Sequence, residues 1–197
     1  QEGLFEESRK KVLPSFARTV AIITSPSGAA LQDFLSILKR RNWTGTVCVI
    51  PALVQGKEAP SQIIDRIKQS SSLDDIDLLV LARGGGSIED LWAFNDEALV
   101  RTLAECPIPT ISAIGHQTDF TLSDFAADFR AETPSAAAEW ISTEYLEQLE
   151  RLDYFEECLI RRTKEFFRRF SDKITFLEAS LEKLTPRNRI DRYHQHL

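Results

Sequence analysis

Apolar and polar positions alternate in two distinct ways along the first two thirds of the chain. Four short runs are apolar or β-branched almost throughout, which is the pattern of buried strands. These runs are residues 19–24, 46–50, 78–82 and 110–114. Between them, apolar residues recur at helical spacing, as at Leu31, Phe34 and Leu38. The alternation predicts an α/β fold, with a small, open, mainly parallel sheet of about four strands and flanking helices.

A different pattern follows Pro134 and predicts one long, coiled-coil-like helix. Thr133 has the chemistry of an N-cap and Pro134 suits the first helical position, while residues 135–185 contain neither glycine nor proline. The apolar residues of its second half form a heptad seam. They are Phe170, Ile174, Leu177, Leu181 and Leu184. At ~1.5 Å per residue such a helix would extend for about 75 Å, so it needs a helical partner from this chain, another copy or another subunit.

These patterns divide the chain into four predicted parts. A polar lead-in covers residues 1–17, the α/β domain 18–134, the long helix 135–185 and a polar tail 186–197. The chain has no methionine, including at its start, so we expect an excised fragment whose N-terminal neighbour is missing.

Composition narrows the class of protein. The apolar fraction of 43% and the charged fraction of 27% are ordinary for a soluble globular protein. No apolar run approaches the ~20 residues of a membrane span, and the N-terminus lacks the layout of a signal peptide. Three widely spaced cysteines form no Cys-x-x-Cys pair, which predicts buried, reduced thiols and a cytoplasmic location. The net charge of −6 does not itself indicate a nucleic-acid partner, although it does not exclude one.

Two of the predicted strands end in glycine and chemically useful side chains. The third strand runs into Arg83 and the three glycines Gly84–Gly86, and the fourth runs into Gly115, His116 and Asp119. Because parallel strands end at the same edge of a sheet, we expect both loops to form one site. Glycines allow a ligand to approach the backbone, and an arginine fork fits phosphate oxygens. The alternatives are a tight turn with a surface arginine and a dinucleotide fingerprint, which fails because Glu89 occupies its last glycine position.

The first strand also ends in a turn that could bind an anion. Ser25, Ser27 and Gly28 link the strand to a helix, whose first backbone N–H groups are unpaired. This signal is weak, and a plain strand-to-helix turn explains it equally well. Asp33 lies in the first turns of that helix, where a solvated carboxylate is the alternative to a functional one.

His116 is the histidine best placed for catalysis, because His194 and His196 belong to the polar tail. If the segment turns helically, Asp119 could orient the imidazole, and the pair could move a proton. A histidine that caps a turn is the alternative.

Three consecutive segments resemble the signatures of the large subunit of exodeoxyribonuclease VII. They are SPSGAALQDFLSILKRR, RGGGSIEDLWAFNDE and SAIGHQTDFTLSDFAADFRAETPSAAAE, within a match that covers about residues 4–139. The resemblance implies a nuclease that hydrolyses single-stranded DNA from either end to short 5′-phosphorylated products. It also implies several copies of a small helical subunit bound to the long helix. An N-terminal OB-fold and a complete C-terminal end are expected of the family and lie outside this sequence.

The resemblance assigns catalytic roles to Asp33, Arg83, His116 and Asp119. The one departure is Gln117, which stands where the family commonly has glutamate. Asp33 and Asp119 could together hold Mg²⁺, although the resemblance implies that metal dependence varies within the family. The predicted phosphate- or DNA-binding residues are Ser25, Ser27, Gly28, Gly84, Gly85 and Gly86.

Two other classes of function remain open at this point. One is a scaffold that binds single-stranded DNA through a degenerate site, and the other is a Rossmann-like domain that binds a nucleotide cofactor. The presence of all four catalytic residues favours the nuclease over both.

Overall fold

Five short strands form one parallel sheet in a computed structural model that describes residues 3–73, 75–86, 88–116 and 118–184. The strands are β1 (Thr19–Thr24), β2 (Thr46–Pro51), β3 (Leu78–Arg83), β4 (Thr110–Ile114) and β5 (Phe129–Arg130). Their order in the sheet is β2-β1-β3-β4-β5. The predicted α/β class and the four predicted strands are confirmed. The fifth strand was not predicted, because two residues carry no apolar run of their own.

Helices connect the strands, and the first of them lies where the spacing of Leu31, Phe34 and Leu38 predicts it. They are α1 (Ala29–Arg40), α2 (Ala59–Ser70), α3 (Ile88–Leu91), α4 (Glu97–Glu105), α5 (Leu122–Ala126) and α6 (Pro134–Leu184). Short 3₁₀ turns cover Glu7–Arg9 and Trp92–Asn95. Helix α4 begins at Glu97 because the carboxylate of Asp96 accepts a hydrogen bond of 3.0 Å from the backbone N–H of Leu99.

The interior strands β1 and β3 are almost wholly buried. All six residues of β3 are buried, as expected for a parallel strand with both faces covered. On one face, Ile23 and Leu81 pack in a cluster with Ile63 of α2 and Leu103 of α4. This packing fixes the carboxyl ends of β1 and β3 beside each other, which is where the predicted site residues begin.

The buried side chain of Asp128 connects the lead-in segment to strand β4. The carboxylate of Asp128, 4% exposed, accepts hydrogen bonds from the backbone N–H groups of Lys11 (2.8 Å) and Thr110 (2.7 Å). The hydroxyl of Thr110 donates a third, of 2.9 Å. The same contacts hold Asp128 one residue before β5, so they help to bring β5 alongside β4.

Contacts divide the chain into two units, residues 1–148 and residues 149–197. The first turns of α6 belong to the first unit, and the predicted cap is present, since the backbone N–H of Ala136 donates to Thr133 Oγ1 at 3.0 Å. Further along, Tyr145 stacks on Phe16 with 4.5 Å between the ring centroids, and its hydroxyl lies 2.8 Å from that of Thr44.

The second unit consists, in its described part, of the remainder of α6. Four residues of the predicted seam are between 50% and 67% exposed, and they are Phe170, Ile174, Leu177 and Leu181. The side chain of the fifth, Leu184, and the predicted tail at 186–197 lie outside the described residues. None of the helices in the described ranges has an apolar stretch of the length needed to cross a membrane. The four-part division of the chain stays a prediction.

Candidate functional site

The carboxyl ends of three neighbouring strands meet at one edge of the sheet. β3 lies between β1 and β4, with Ile23 paired to Leu81 and Arg83 paired to Ile114. Residues that follow β1, β3 and β4 therefore leave the sheet side by side. The order β2-β1-β3-β4-β5 reverses its direction between β1 and β3, and open α/β sheets form their ligand crevice at such a point.

A cavity of about 410 Å³ opens at this reversal point. Its walls combine the turn after β1, the start of α1, the segment after β2 and the glycine loop after β3. The lining residues are Thr24, Ser25, Gly28, Ala29, Ala30, Asp33, Leu53, Val54, Gln55, Arg83, Gly84 and Gly85. Asp33 and Arg83, which are 50 positions apart in the sequence, thus share one cavity.

Arg83 is a buried arginine at the end of β3, and its side chain is only 5% exposed. Its Nη2 lies 3.1 Å from Asp90 Oδ2 and donates to Gln55 Oε1 at 3.4 Å. Its Nη1 is buried and has no hydrogen-bond partner among the described residues. A buried cationic N–H without an acceptor is unfavourable, so this atom is prepared to receive a negatively charged group.

Helix α1 presents its N-terminus to the same cavity. Gly28 is the N-cap residue, and no side chain caps the first turn. The backbone N–H of Gly28 donates to Ser25 O at 3.1 Å, which closes the turn after β1. The first N–H groups of the helix and the positive end of its dipole therefore favour an anion beside Ala29 and Ala30. Ser27 is exposed and does not line the cavity, although its hydroxyl lies 3.5 Å from that of Ser25.

His116 and Asp119 form a tight turn directly after β4. Gly115 has φ +73°, a conformation that favours glycine, and the backbone N–H of Asp119 donates to His116 O at 3.0 Å. Asp119 Oδ2 accepts a hydrogen bond of 3.3 Å from the backbone N–H of His116. The same oxygen is 3.8 Å from His116 Nδ1, which is too long for a hydrogen bond. Asp119 therefore stabilises the turn, and the imidazole, 64% exposed, keeps freedom to rotate.

The glycine loop lies between the cavity and His116. A methyl group added at Gly85 would overlap the imidazole of His116, coming within 2.6 Å of Nε2. One added at Gly86 would overlap the guanidinium of Arg83. His116 and Asp119 do not line the cavity itself. The predicted residues thus form two groups, Asp33 with Arg83 and His116 with Asp119, which meet across Gly85.

Three residues that hold this arrangement were not predicted from the sequence. Gln55 and Asp90 contact the guanidinium of Arg83. Arg130 of β5 donates from Nη2 to the backbone oxygens of Asp119 (3.1 Å) and His116 (3.4 Å), so it fixes the turn from outside. Asp90 belongs to the RGGGSIED segment and Arg130 to the segment that begins SAIGHQTD, which could have drawn attention to both, whereas nothing in the sequence marks Gln55.

The acidic residues do not assemble an evident metal site. In the part of the chain that the structure describes, no three His, Cys, Asp or Glu side chains are grouped so that they could hold a metal ion together. Asp33 lines the cavity with the cationic Arg83, while Asp119 Oδ2 faces the backbone of His116. The pair predicted for Mg²⁺ thus lies in two different settings. Gln117, the departure from the family pattern, lies outside the described residues.

Comparison with known proteins identifies the family. The family model described as "Exonuclease VII, large subunit" matches residues 4–197. An exodeoxyribonuclease 7 large subunit from Halalkalibacterium halodurans is 46% identical over 180 residues, which are 91% of this chain and 39% of that protein. The corresponding subunit from Histophilus somni is 45% identical over 190 residues, 96% of this chain and 42% of that protein. That from Bacillus thuringiensis is 43% identical over 187 residues, 95% and 41% of the two chains.

These relatives are longer than the chain, which spans about two fifths of their length. One solved structure, of a protein from Listeria monocytogenes, aligns with a TM-score of 0.34 and 14% identity over 80% of this chain and 78% of that one, a likeness that supports no inference. By contrast, the family model matches nearly the whole chain, and the three relatives are 43–46% identical to it. These two findings identify the family. The chain belongs to the exonuclease VII large-subunit family.

Proposed function

We propose that the chain is the catalytic part of a nuclease that hydrolyses single-stranded DNA from both ends to 5′-phosphorylated nucleotides and oligonucleotides. It would act within the large subunit of exodeoxyribonuclease VII, and its relatives are named as that subunit. The observation that carries the proposal is the cavity where the buried, partly unpartnered guanidinium of Arg83 meets the uncapped N-terminus of α1. An exposed imidazole lies directly across the loop, so an anion site and a proton-transfer group are neighbours.

In this proposal the cavity binds the scissile phosphate. Arg83 Nη1 and the first N–H groups of α1 donate to the non-bridging oxygens, and the backbone of Gly84–Gly86 closes around them. Asp90 and Gln55 keep the guanidinium in place, so little reorganisation is needed when charge builds up on the phosphate. Ser25 and Gly28 border the same space, and Ser27 supports the turn from the surface.

His116 serves as the general base or general acid of the hydrolysis. A water attacks phosphorus and gives up a proton, the bond between phosphorus and the 3′-oxygen breaks, and that oxygen takes a proton. The phosphate therefore stays on the 5′ side of the next nucleotide, as the proposed products require. Asp119 and Arg130 hold the turn that carries the imidazole, and Asp33 orients the attacking water from the opposite wall.

No step of this mechanism runs through a metal ion. Arg83 already supplies a positive charge at the cavity, where the scissile phosphate binds in this proposal. Hydrolysis that continues at an undiminished rate in excess EDTA would support this part of the proposal.

The exposed seam of α6 is the proposed contact with the small subunit. Phe170, Ile174, Leu177 and Leu181 are half or more exposed, and one helix cannot bury its own seam. Several copies of a small helical subunit would cover it, in an assembly that functions in the cytoplasm. Replacing Ile174 and Leu177 with lysine should abolish co-purification of the small subunit, whereas lysine at the polar position Glu178 should not.

Activity of the assembled enzyme tests the proposed function directly. The full-length protein with its small subunit should degrade a single-stranded oligonucleotide labelled at either end, and its products should carry 5′-phosphates. A protein that binds the oligonucleotide in a salt-sensitive way and releases no product would instead be a binding scaffold. Stabilisation by a dinucleotide without any cleavage would favour the nucleotide-cofactor alternative.

A further inference from the structure

Three phenylalanine rings form an exposed row next to the turn that carries His116. The centroids of Phe5 and Phe125 are 6.0 Å apart, and those of Phe125 and Phe120 are also 6.0 Å apart. The rings of Phe120 and Phe125 are nearly parallel, with 24° between their planes. All three residues are between 45% and 59% exposed. We call Phe5, Phe120 and Phe125 the aromatic row.

Phe125 lies on α5, a firmly anchored short helix, and Phe120 lies two residues before it. Asp124 of α5, 3% exposed, accepts hydrogen bonds from the hydroxyl of Ser112 (2.6 Å) and the backbone N–H of Thr121 (2.8 Å). Ser123 is also buried, and its hydroxyl donates to Phe94 O at 2.7 Å. Because these polar contacts fix the inner side of α5, Phe120 and Phe125 are displayed by well-packed structure. Grouped exposed aromatic rings on such a support are typical of an interaction site.

Arg130 connects the row to the candidate catalytic turn. Its guanidinium lies over the ring of Phe120, 3.9 Å from the centroid. The same group donates to the backbone oxygens of His116 and Asp119. The row therefore begins one side chain away from the backbone of the turn that carries His116, and Phe120 directly follows Asp119 in the sequence. Arg130 Nε also lies 4.0 Å from Asp124 Oδ1, so the carboxylate of α5 helps to hold the guanidinium over Phe120. A cationic group stacked on an aromatic ring suits a nucleic-acid strand.

We propose that the aromatic row is a stacking subsite for the bases of single-stranded DNA adjoining the scissile phosphate. The proposal rests on the proposed function, since it places the strand at the same edge of the sheet. Every base has a π-face, so stacking tolerates any sequence, as a general exonuclease requires. The exposed rings of Phe120 and Phe125 receive the bases, Phe5 ends the row, and Arg130 joins the row to the turn that carries His116. Base-paired DNA has no free base faces, so the row favours single strands.

Ring-specific substitutions in the full-length protein, assembled with its small subunit, test this subsite. The probe is a fluorescein-labelled oligothymidylate with phosphorothioate linkages, which resist hydrolysis, and binding is followed by fluorescence anisotropy. F120A/F125A should bind about tenfold more weakly or worse, the loss expected for removing base–aromatic stacking. F120L/F125L should lose a similar factor in affinity, because leucine keeps the apolar bulk but has no ring on which a base can stack. F120Y/F125Y keeps both rings and should bind the probe as wild type does. L73A is the matched control, since Leu73 is 47% exposed in the turn that precedes β3, at the opposite edge of the sheet.

A second probe separates stacking from other contacts. On an oligomer whose central nucleotides are abasic, wild type and F120A/F125A should bind equally, because no bases remain to stack. The proposal would be overturned if F120L/F125L bound the oligothymidylate as tightly as wild type. It would also be overturned if the F120A/F125A assembly dissociated while its DNA affinity stayed unchanged, because the row would then be a protein interface. Failure of the proposed function would give a different result. If the wild-type enzyme releases no product but its DNA binding still depends on the two rings, hydrolysis is refuted and the stacking subsite is retained.

Discussion

Gly85 and His116 are in direct contact at the edge of the sheet, because the imidazole of His116 fills the space that a side chain at position 85 would occupy. Replacing Gly85 with alanine should therefore displace the ring from its position beside the glycine loop. A displacement of about 1 Å can cost about 10²-fold in rate, so we expect a loss of this size in kcat on single-stranded DNA. The melting temperature should change little, because the exposed imidazole can rotate away from the new methyl group.

Gly84 provides the matched control for this substitution. A methyl group there would meet only Ala30 Cβ, at 3.7 Å, which is an ordinary van der Waals contact. G84A should fold normally and, at saturating DNA, lose far less of its kcat than G85A. Equal rates for the two variants would contradict the view that Gly85 is needed to make room for His116.

Asp128 should be important for stability and unimportant for chemistry. Its buried carboxylate satisfies the backbone N–H groups of Lys11 and Thr110, which D128A would leave without acceptors. We expect the free energy of unfolding to fall by about 3 kcal/mol, measured by urea denaturation. D65A removes an exposed carboxylate from α2 and should have almost no effect. A D128A variant as stable as D65A would show that the lead-in segment is not held by this carboxylate.

Cys106 should make the stability depend on pH in the alkaline range. Burial raises the pKa of its thiol above the ordinary value, and hydrogen bonds with Ile108 and Ser71 only partly oppose the rise. The folded protein therefore keeps a proton that the unfolded chain releases. Stability should be unaffected below the ordinary thiol pKa and should decline as pH rises through the raised one. Urea unfolding of wild type and C106A across this range should show a steeper decline for wild type, and parallel curves would contradict the assignment.

The sequence predicted those parts of the fold that depend on local pattern. Four strands have apolar runs long enough to identify, and the N-cap and proline at Thr133 and Pro134 predicted the start of α6. β5 escaped prediction because only two ladder pairs with β4 define it, and these depend on the buried contacts of Asp128. Its strand character comes from tertiary pairing and has no counterpart in the local sequence.

The candidate site likewise contains residues that a local pattern predicts and residues that only the folded chain brings together. Arg83 and His116 could be singled out because each follows a buried strand beside glycine, and this is visible in the sequence. The contacts of Arg83 with Gln55 and Asp90 depend on the paths of two separate loops. The contact between the rings of Phe5 and Phe125 joins positions 120 residues apart, which no periodic pattern connects. The residues proposed for chemistry could thus be singled out from the sequence, whereas the residues that hold them in place became visible only in the folded protein.

Single-turnover cleavage by H116A in the assembled enzyme tests the central claim most directly. A labelled single-stranded oligonucleotide is mixed with excess wild type or H116A, and binding is measured in parallel by anisotropy. If the imidazole moves the proton in hydrolysis, H116A should bind the strand normally and cleave it about 10²–10⁴-fold more slowly. A near-normal cleavage rate for H116A would contradict the catalytic site described above.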